Sequence, residues 1–348
     1  MKQKNAHPTL GEVARKAGVG TTTVSRVING GDGVSPKTLA HVRRIIETLG
    51  YMPNQAARTL KGQRTKTIGL LVPSIADPFF SSCAEAVQAI ARANDSLLIV
   101  TVTANDPRTE MDNLNVLIRH RVDGLILVPA NSQSPALRDL LNRITMPVVA
   151  IDRPVANSSI ASVVADNLKG AMAATQHLIG HGYKRIVCLT GESTLYTIRE
   201  RINGYRKAVE AAHLACIIDT SVKDYKSAEY AIKSLLDAPN PPDAIFALKN
   251  STTIYAFEVL QSLNISVPQT IALIGFDDFE LASTVRPSIS VIQQPVEEIG
   301  RRAAEMLFDQ LLDENTSSAA ASANKVRQLK LQTRLIQRHS CGCIVHPA

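Results

Sequence analysis

Short apolar runs alternate with amphipathic stretches along most of the chain. The runs are 67-TIGLLVP, 96-SLLIVTVT, 124-GLILVPA, 147-PVVAID, 185-RIVCLTG, 243-DAIFAL and 271-IALIGFDD. Each has the length of one strand, and its unbroken apolar character is typical of a strand buried on both faces. The stretches between them, such as 84–93, have helical spacing. The alternation predicts an α/β body with parallel sheets, and its length of about 270 residues favours two lobes.

The first 66 residues differ from this body in charge. They contain 12 lysines and arginines and 3 acidic residues, a net charge of +9 in a chain whose total is +7. A basic segment joined to a near-neutral body is the electrostatic footprint of nucleic-acid binding. A solubilising basic arm is the alternative, but this segment is patterned rather than of low complexity.

The pattern of the basic segment predicts three short helices. Thr9 and Glu12 form the sequence signature of a capping box, and Gly18 follows the last apolar residue of the first helix. A second helix is expected from Thr21 to Ile28, and Ser35-Pro36 begins a third. Two helices joined by a tight turn and braced by a third predict a small all-α helix-turn-helix head.

The start of the second helix supplies candidate DNA contacts. In a helix-turn-helix this part of the recognition helix meets base edges in the major groove. Hydroxyl and methyl groups of threonine suit bases, while serine and arginine suit phosphates. The candidates are Thr21, Thr22, Thr23, Ser25, Arg26 and Asn29. Capping of the helix is the alternative role for a run of threonines in this place.

A second candidate DNA element spans residues 53–62. Asn54 is expected to cap a helix that Gly62 ends, and a helix of this length is stable only when it is docked. Leu60 next to Lys61 gives an apolar wedge beside a cation, which suits insertion into the minor groove. An ordinary linker helix, with Leu60 against the core, is the alternative.

Ordered motifs give the chain a family resemblance. The head has VARKAGVGTTTVSRVING and VSPKTLAHVRRIIETLGYMPNQAARTLKG, and the body has DPFF, VDGLIL, IDRP, ADN, RERINGY, GFDD and QQPVEEIG. With these motifs, residues 9 to 340 resemble the lactose/galactose repressor (LacI/GalR) family. The resemblance implies a periplasmic-binding-protein-like body that binds a small effector. It also implies major-groove contacts for Thr21, Thr22 and Arg26, and hinge-helix contacts for Asn54, Ala57, Arg58, Leu60 and Lys61.

Candidate effector contacts lie just after strands, where ligands bind in open α/β sheets. Phe79 and Phe80 can stack on a sugar ring. The alternative is that one of them lies in the core and the other forms a lid. By the family's spacing, Arg201 binds the ligand. The other candidates are Arg153, Tyr225, Ser251, Asp277, Asp278 and Gln294, and of the two aspartates Asp277 has the alternative of a structural role.

Ser251 departs from the family pattern, which often has an aspartate there that chelates sugar hydroxyls. With one acid fewer beside Arg153 and Arg201, and Arg199 as a further cation, the sequence leaves room for a sugar acid or sugar phosphate as well as a neutral sugar. A solvated surface position is the alternative for Arg199.

These observations predict a DNA-binding transcription regulator, most simply a repressor. Its partners are a palindromic double-stranded operator, a small-molecule effector and a second copy of the chain, as a homodimer or higher oligomer. We expect a helix-turn-helix domain (1–52), a hinge helix and linker (53–66), an effector-binding and dimerisation domain (67–340) and a tail (341–348). The expected lobes are 67–165 with 295–324, and 166–294 with 325–340.

Other classes fit the sequence less well. A transport-associated binding protein fits the body but not the basic head or the missing signal peptide, so a cytoplasmic location without a membrane partner is expected. No glycine-rich phosphate motif follows a strand, and no catalytic cluster stands out, so neither an enzyme nor a cofactor is expected. Cys341 and Cys343 form a C-x-C pair and His177 and His181 an i,i+4 pair, but with no evident partners for either pair we expect no metal.

Overall fold

The computed structural model describes residues 8–52, 64–313 and 328–343. The chain divides into two compact units, a head that ends at Thr65 and a body that begins at Lys66. The head is helical, whereas the body is an α/β structure with two sheets, and the predicted fold class is confirmed. Among the described residues, we find no helix that combines the length and apolar character needed to span a bilayer.

The described part of the head contains helices α1 (Leu10–Ala17), α2 (Thr21–Ile28) and α3 (Pro36–Leu49). The predicted capping box is present, since the Thr9 side chain accepts from the backbone N–H of Glu12 while the Glu12 carboxylate accepts from that of Thr9. Gly18 and Gly50 end α1 and α3 in the left-handed conformation that glycine adopts without strain. The three helices share a core of Val13, Ala14, Ala17, Val24, Val27 and Val42.

The body follows the predicted alternation. Its helices are α4 (Pro78–Ala93), α5 (Pro107–Arg119), α6 (Pro135–Arg143), α7 (Asn167–Gly180), α8 (Tyr196–Ala211), α9 (Tyr225–Leu236), α10 (Asn250–Ser262) and α11 (Val296–Asp313), with a 3-10 turn at Glu280–Ser283. Its strands are β1 (Thr67–Val72), β2 (Leu97–Val102), β3 (Gly124–Leu127), β4 (Val148–Ile151), β5 (Ala161–Ala165), β6 (Ile186–Leu189), β7 (Ile217–Asp219), β8 (Ala244–Ala247), β9 (Ala272–Phe276), β10 (Ser290–Gln293), β11 (Gln328–Leu331) and β12 (Arg334–Ile336).

The strands form two sheets, one in each lobe. The first has the order β11-β5-β4-β3-β1-β2 and is parallel throughout. The second has the order β12-β10-β9-β8-β6-β7 and is parallel except at its edge, where β12 runs antiparallel to β10. The inner strands β3, β4, β6 and β8 are fully buried, as their unbroken apolar sequences require.

Helices cover both faces of each sheet. In the first lobe, α4 and α11 pack on one face and α5 and α6 on the other. In the second lobe, α7 and α8 cover one face and α9 and α10 the other. Because both faces are covered, the carboxyl ends of the strands are left to form a binding site, as in other open parallel sheets.

The C-terminal segment differs from its prediction. The sequence from Gln328 to Arg338 alternates like one strand, but the structure has two, β11 in the first sheet and β12 in the second. The chain therefore passes between the lobes at residues 332–333 rather than at the expected boundary of 324/325. Alternation predicts an extended backbone, but it does not indicate which sheet edge each part will join.

Candidate functional site

Helix α2 presents the predicted polar row on its outer face. Thr21, Thr22, Arg26 and Asn29 are exposed, whereas Thr23 and Ser25 are half-buried. On the opposite face of α2, Val24 and Val27 are buried in the head core, and this packing fixes which face remains outside. The Asn29 amide contacts Ser25 Oγ at 3.4 Å, one turn back along the helix. The proposed DNA contacts in the hinge, Asn54, Ala57, Arg58, Leu60 and Lys61, lie outside the described residues.

The body holds a cavity of about 420 Å³ at the carboxyl ends of its strands. Helix α4 of the first lobe contributes one wall, and the ends of β8 and β9 contribute the other. The chain that returns from β10 to α11 forms the base. The lining residues are Pro78, Phe79, Ser82, Asn250, Asp277, Asp278, Gln293, Gln294, Pro295, Val296, Glu297 and Glu298.

Arg153 is buried at the end of β4, with 4% of its surface exposed. Its Nε donates to Asp152 Oδ2 at 3.1 Å. Its Nη1 donates to Asn105 Oδ1 at 2.8 Å and to the carbonyl oxygen of Pro129 at 3.0 Å. None of these three bonds uses Nη2, so the N–H groups of Nη2 can donate to another partner.

Arg201 has a parallel arrangement in the second lobe and is 3% exposed. Its Nε donates to Asn167 Oδ1 at 2.8 Å, and its Nη1 donates to the Leu248 carbonyl at 2.7 Å and to Asp277 Oδ2 at 3.2 Å. The guanidinium carbon lies 3.7 Å from the centroid of the Phe276 ring, within range for a cation–π interaction. These four contacts on a buried group fix its orientation before any ligand binds.

The two adjacent aspartates after β9 have different partners. Asp277 joins Arg201 to Gln294, whose Nε2 donates to Asp277 Oδ1 at 2.5 Å. Asp278 is held in a bidentate pair by Arg338, with both bonds at 2.9 Å. Both carboxylates line the cavity, but Asp278 already has a cation whose geometry matches it. Both aspartates therefore have structural partners, and the alternative of a structural role for Asp277 stays open.

Charges in the two lobes act on one another across this region. Burial raises the pKa of Asp152, and the positive charges of Arg153 and Arg201 oppose that rise. Burial also raises the pKa of Glu110 to about 7, although the backbone N–H of Ala130 and the charge of Arg153 act in the opposite direction. Glu110 is 1% exposed and Ala130 donates to its Oε1 at 2.7 Å, so this carboxyl supports the loop behind Arg153.

The structure removes the charge argument for an anionic ligand. Arg153 pairs with Asp152 and Arg201 pairs with Asp277, so neither arginine is an unbalanced cation. Arg199 is exposed and is not among the residues that line the cavity. Four carboxylates lie along the cavity wall, from Asp277, Asp278, Glu297 and Glu298. The cluster that the sequence suggested as positive is therefore neutral or acidic.

Five predicted effector residues are not among those that line the cavity, namely Phe80, Arg153, Arg201, Tyr225 and Ser251. Phe79 lines the cavity, but Phe80 packs in the core of the first lobe, with the two rings edge to face at 5.0 Å. The next residue along a helix points about 100° away, so neighbours rarely share one face. Tyr225 contacts Ser262 at 3.4 Å, and Ser251 lies in the first turn of α10.

Three residues that hold the arginines and Asp278 in place were not predicted from the sequence. Asn105 follows β2 and Asn167 is the last letter of the quoted ADN motif, so strand ends and the motif together could have pointed to them. Arg338 lies 60 residues after Asp278, and no local signal connects the two. Asn250 also contacts Asp77 at 3.5 Å, which joins α10 of one lobe to α4 of the other.

The ground on which no metal was expected does not hold in the structure. Cys341 and Cys343 were set aside because no second ligand pair was evident, yet His177 and His181 lie directly beside them. The pairs are separated by more than 160 residues in the chain, which is why the spacing did not reveal them.

These features define a two-domain regulator, a helix-turn-helix head followed by a two-lobed body with a small-molecule cleft. Residues 9–54 match the family model described as bacterial regulatory proteins, lacI family. Residues 65–339 match the model for periplasmic binding proteins and the sugar binding domain of the LacI family. The chain belongs to the LacI family of bacterial regulatory proteins.

Named relatives agree with this class along nearly the full length. The HTH-type transcriptional regulator CelR of Thermobifida fusca is 34% identical, and the match covers 97% of this chain and 99% of that protein. The ribose operon repressor of Haemophilus influenzae is 33% identical, over 88% of this chain and 93% of that protein. A solved structure of a CelR–cellobiose complex has a TM-score of 0.70 and 32% identity, and the match covers 96% of this chain and 99% of that one.

Proposed function

We propose that this regulator is a dimeric repressor that binds a palindromic operator through α2 and releases it when a neutral sugar occupies the body. The observation that carries the proposal is a pair of sites in one chain. One is an exposed polar row on a helix of a strongly basic head, and the other is a cleft with hydrogen-bonding side chains from both lobes. Phosphate attraction and base contacts together supply affinity and specificity for DNA.

Within the head, Thr21, Thr22 and Arg26 are proposed to read the major groove. Their exposure along one face of α2 supports this assignment, and Thr23 and Ser25, which are half-buried, are better placed to contact phosphates. Asn29 at the end of the helix extends the same row. Leu60 and Lys61 are proposed as the minor-groove contacts, on the basis of the sequence alone.

For the effector, balanced charge favours a neutral polyhydroxyl ligand. Asp277 and Gln294 supply hydrogen-bonding groups on the cavity wall, and the buried charges of Arg153 and Arg201 are balanced by Asp152 and Asp277. Phe79 offers a ring face to the apolar side of a sugar. The names of the relatives point the same way, since one is a ribose operon repressor and another was solved with cellobiose.

The proposed dimer has support in the first lobe. Leu97, Val100 and Val102 project exposed apolar side chains from the edge strand β2, and Val116 adds one from α5. An exposed apolar strand edge is normally protected in a monomer, so a second copy would cover it. Two heads related by a two-fold axis require a palindromic site, with half-sites one helical turn or a multiple of it apart.

Selection of bound sequences from a random DNA pool, followed by fluorescence anisotropy, tests the DNA-binding part. The expected result is an enriched palindrome with an affinity roughly 1,000-fold or more above that for unrelated DNA. Arg26→Ala and Leu60→Ala should each weaken binding, while Arg206→Ala, which removes an equal charge from the exposed body surface, should not. Binding without sequence preference at physiological salt would overturn the proposal.

Calorimetry of the full chain tests the effector part. The panel contains ribose, cellobiose, gluconate and glucose 6-phosphate, so that neutral and anionic ligands are compared directly. We expect a neutral sugar to bind and to lower affinity for the selected operator. If only the anionic compounds bind, the charge-balance argument is wrong.

A further inference from the structure

Four metal-ligating side chains meet at the end of α7 that lies opposite Asn167. The donor atoms of His177, His181, Cys341 and Cys343 all lie within 4.8 Å of one another. His177 Nε2 is 3.3 Å from Cys341 Sγ and 3.4 Å from Cys343 Sγ, and His181 Nε2 is 3.2 Å from Cys343 Sγ. The two sulfur atoms are 3.4 Å apart. Each imidazole thus directs the same ring nitrogen toward a thiol sulfur.

The local fold explains why the histidines share a face. His177 lies in the last turn of α7 and His181 is its C-cap residue, so the i,i+4 spacing stacks them one above the other. Their ring centroids are 4.7 Å apart. A pair at this spacing is a common way for a helix to offer two nitrogen ligands to one ion.

The cysteines are held by a tight turn after β12. Gly342 has φ +92°, which a residue with a side chain rarely adopts, and a Cβ there would come within 2.9 Å of Tyr183 Oη. Ser340 anchors the turn to two strands, since its Oγ donates to the Leu273 carbonyl and accepts from the Ser290 N–H at 2.8 Å. Both thiols are therefore placed by the backbone rather than by each other.

The donor set selects a particular class of cation. Two thiols and two imidazoles form the Cys₂His₂ set of structural zinc sites, whereas Mg²⁺ and Ca²⁺ prefer oxygen ligands. Metal–sulfur bonds of about 2.3 Å and metal–nitrogen bonds of about 2.0 Å at tetrahedral angles put neighbouring donors about 3.3–3.8 Å apart. The four contacts of 3.2–3.4 Å are at or just below this range, so an outward shift of a few tenths of an ångström makes room for the ion.

The surroundings match those of a structural rather than a catalytic metal. Ser290 donates its hydroxyl to Cys341 Sγ at 3.1 Å, the kind of second bond that orients a ligand. Cys341 is fully buried and Cys343 is half-buried. Four protein ligands complete a tetrahedron and leave no open position for a substrate.

A disulfide between the cysteines is the competing interpretation. It would shorten the sulfur–sulfur distance from 3.4 Å to about 2.05 Å. A disulfide would also give no reason for two imidazole nitrogens to approach the same sulfurs. The histidine pair is the observation that separates the two interpretations.

We propose that His177, His181, Cys341 and Cys343 bind one Zn²⁺ in a closed tetrahedral site that fastens the C-terminal segment to α7. The site lies in the second lobe and does not depend on the proposed sugar or operator. Its function is to stabilise the end of the chain, where β12 contributes only a short edge strand to the sheet.

Metal content of the full chain is the direct test. The protein is purified under reducing conditions without added metal, passed through metal-free buffer and measured by plasma mass spectrometry. We expect one zinc per chain. Replacement by Co²⁺ should give the strong visible absorption of a tetrahedral site together with a thiolate-to-cobalt charge-transfer band.

Matched variants distinguish the site from adventitious binding. His181→Ala and Cys343→Ser remove ligands that reach the surface, so the fold is expected to survive. Each should weaken zinc affinity by about 100-fold or more, since one of four ligands is lost. His120→Ala and Cys216→Ser remove exposed residues of the same types elsewhere and should bind zinc like the wild type.

Thermal melting adds an independent readout. Removal of the metal with a chelator should lower the melting temperature of the wild type and of both controls, but not that of the two ligand variants. Substoichiometric zinc with no charge-transfer band after cobalt addition would overturn the proposal. Intact mass is measured on a second preparation made without reductant, in which a metal-free chain lighter by two hydrogens, with Cys341 joined to Cys343, would overturn the proposal in favour of a disulfide.

Discussion

Replacement of Arg201 by methionine tests whether the cleft is organised before the ligand arrives. Methionine keeps most of the volume and the apolar contact with Phe276, but removes the ion pair with Asp277 and the hydrogen bonds to Asn167 and the Leu248 carbonyl. The exposed fractions of the paired side chains are 4% for Arg201 and 15% for Asp277. Asp277 is therefore left with Gln294 as a partner but without its cation.

The expected loss of stability follows from this burial. Removal of one member of a buried ion pair costs about 3–5 kcal/mol, and the partial exposure of Asp277 places this case near the lower end, at about 3 kcal/mol. For a domain of this size, about 2–3 °C accompanies each kcal/mol, so the melting temperature of the body should fall by roughly 6–9 °C.

Calorimetric melting, supported by circular dichroism because the chain has no tryptophan, measures this effect. Arg199→Met is the matched control, since Arg199 lies on the same helix but is exposed, and its change should stay within about 0.5 kcal/mol. A double variant with Asp277→Asn should be less destabilised than the two single variants added together, by about 1–2 kcal/mol. If Arg201→Met melts within 1 °C of the control, the description of a preorganised cleft is wrong.

Three further outcomes are expected. Arg26→Ala should reduce the dependence of operator affinity on salt by about one counterion. Thr22→Ala should lower affinity for the selected operator and leave the salt dependence unchanged. If Thr22→Ala weakens binding to unrelated DNA equally, Thr22 does not read a base. Burial raises the pKa of Glu110 from 4.5 to about 7, so the folded chain keeps a proton that the unfolded chain loses between these values, and stability falls as the pH rises through them. Glu110→Gln should remove that loss, so that the free energy of unfolding of the variant exceeds that of the wild type by about 2 kcal/mol at pH 8 but not at pH 4. If urea denaturation gives the two proteins the same dependence of stability on pH, the raised pKa of Glu110 is wrong. Gly204→Ala should destabilise the body by about 1–3 kcal/mol in urea, because the new Cβ would overlap the carbonyl oxygen of Leu168 where α8 crosses α7; unchanged stability would show that these helices can separate.

Most of the fold could be predicted because its signals are local. The seven apolar runs predicted β1, β2, β3, β4, β6, β8 and β9, and Thr9 with Glu12 predicted the start of α1. Strands β5, β7 and β10 were not among these runs. The C-terminal strand was misjudged because alternation does not identify the neighbouring strand. The break at residues 332–333 depends on which sheet edges are open, and that is a property of the whole body.

The sites were predictable to the extent that a strand end or a family motif marked them. Phe79, Asp277, Asp278 and Gln294 follow strands and do line the cavity. The partner of Asp278 was not predictable, since Arg338 reaches it from 60 residues away. The two ligand pairs of the proposed zinc site were hidden for the same reason, because each pair is unremarkable until tertiary structure brings them together.

The three passages of the chain between the lobes limit how the body can move. They occur after β5, after β10 and at residues 332–333, and the second of them forms the floor of the cavity. Three connecting segments between the lobes restrict twisting and sliding but permit hinge bending about one axis. A ligand that binds beside these segments lies near the hinge axis. A small change in the separation of the lobes there produces a large change in the angle between them. Because Asp77 and Asn250 belong to different lobes, their side-chain contact of 3.5 Å lengthens when the lobes move apart.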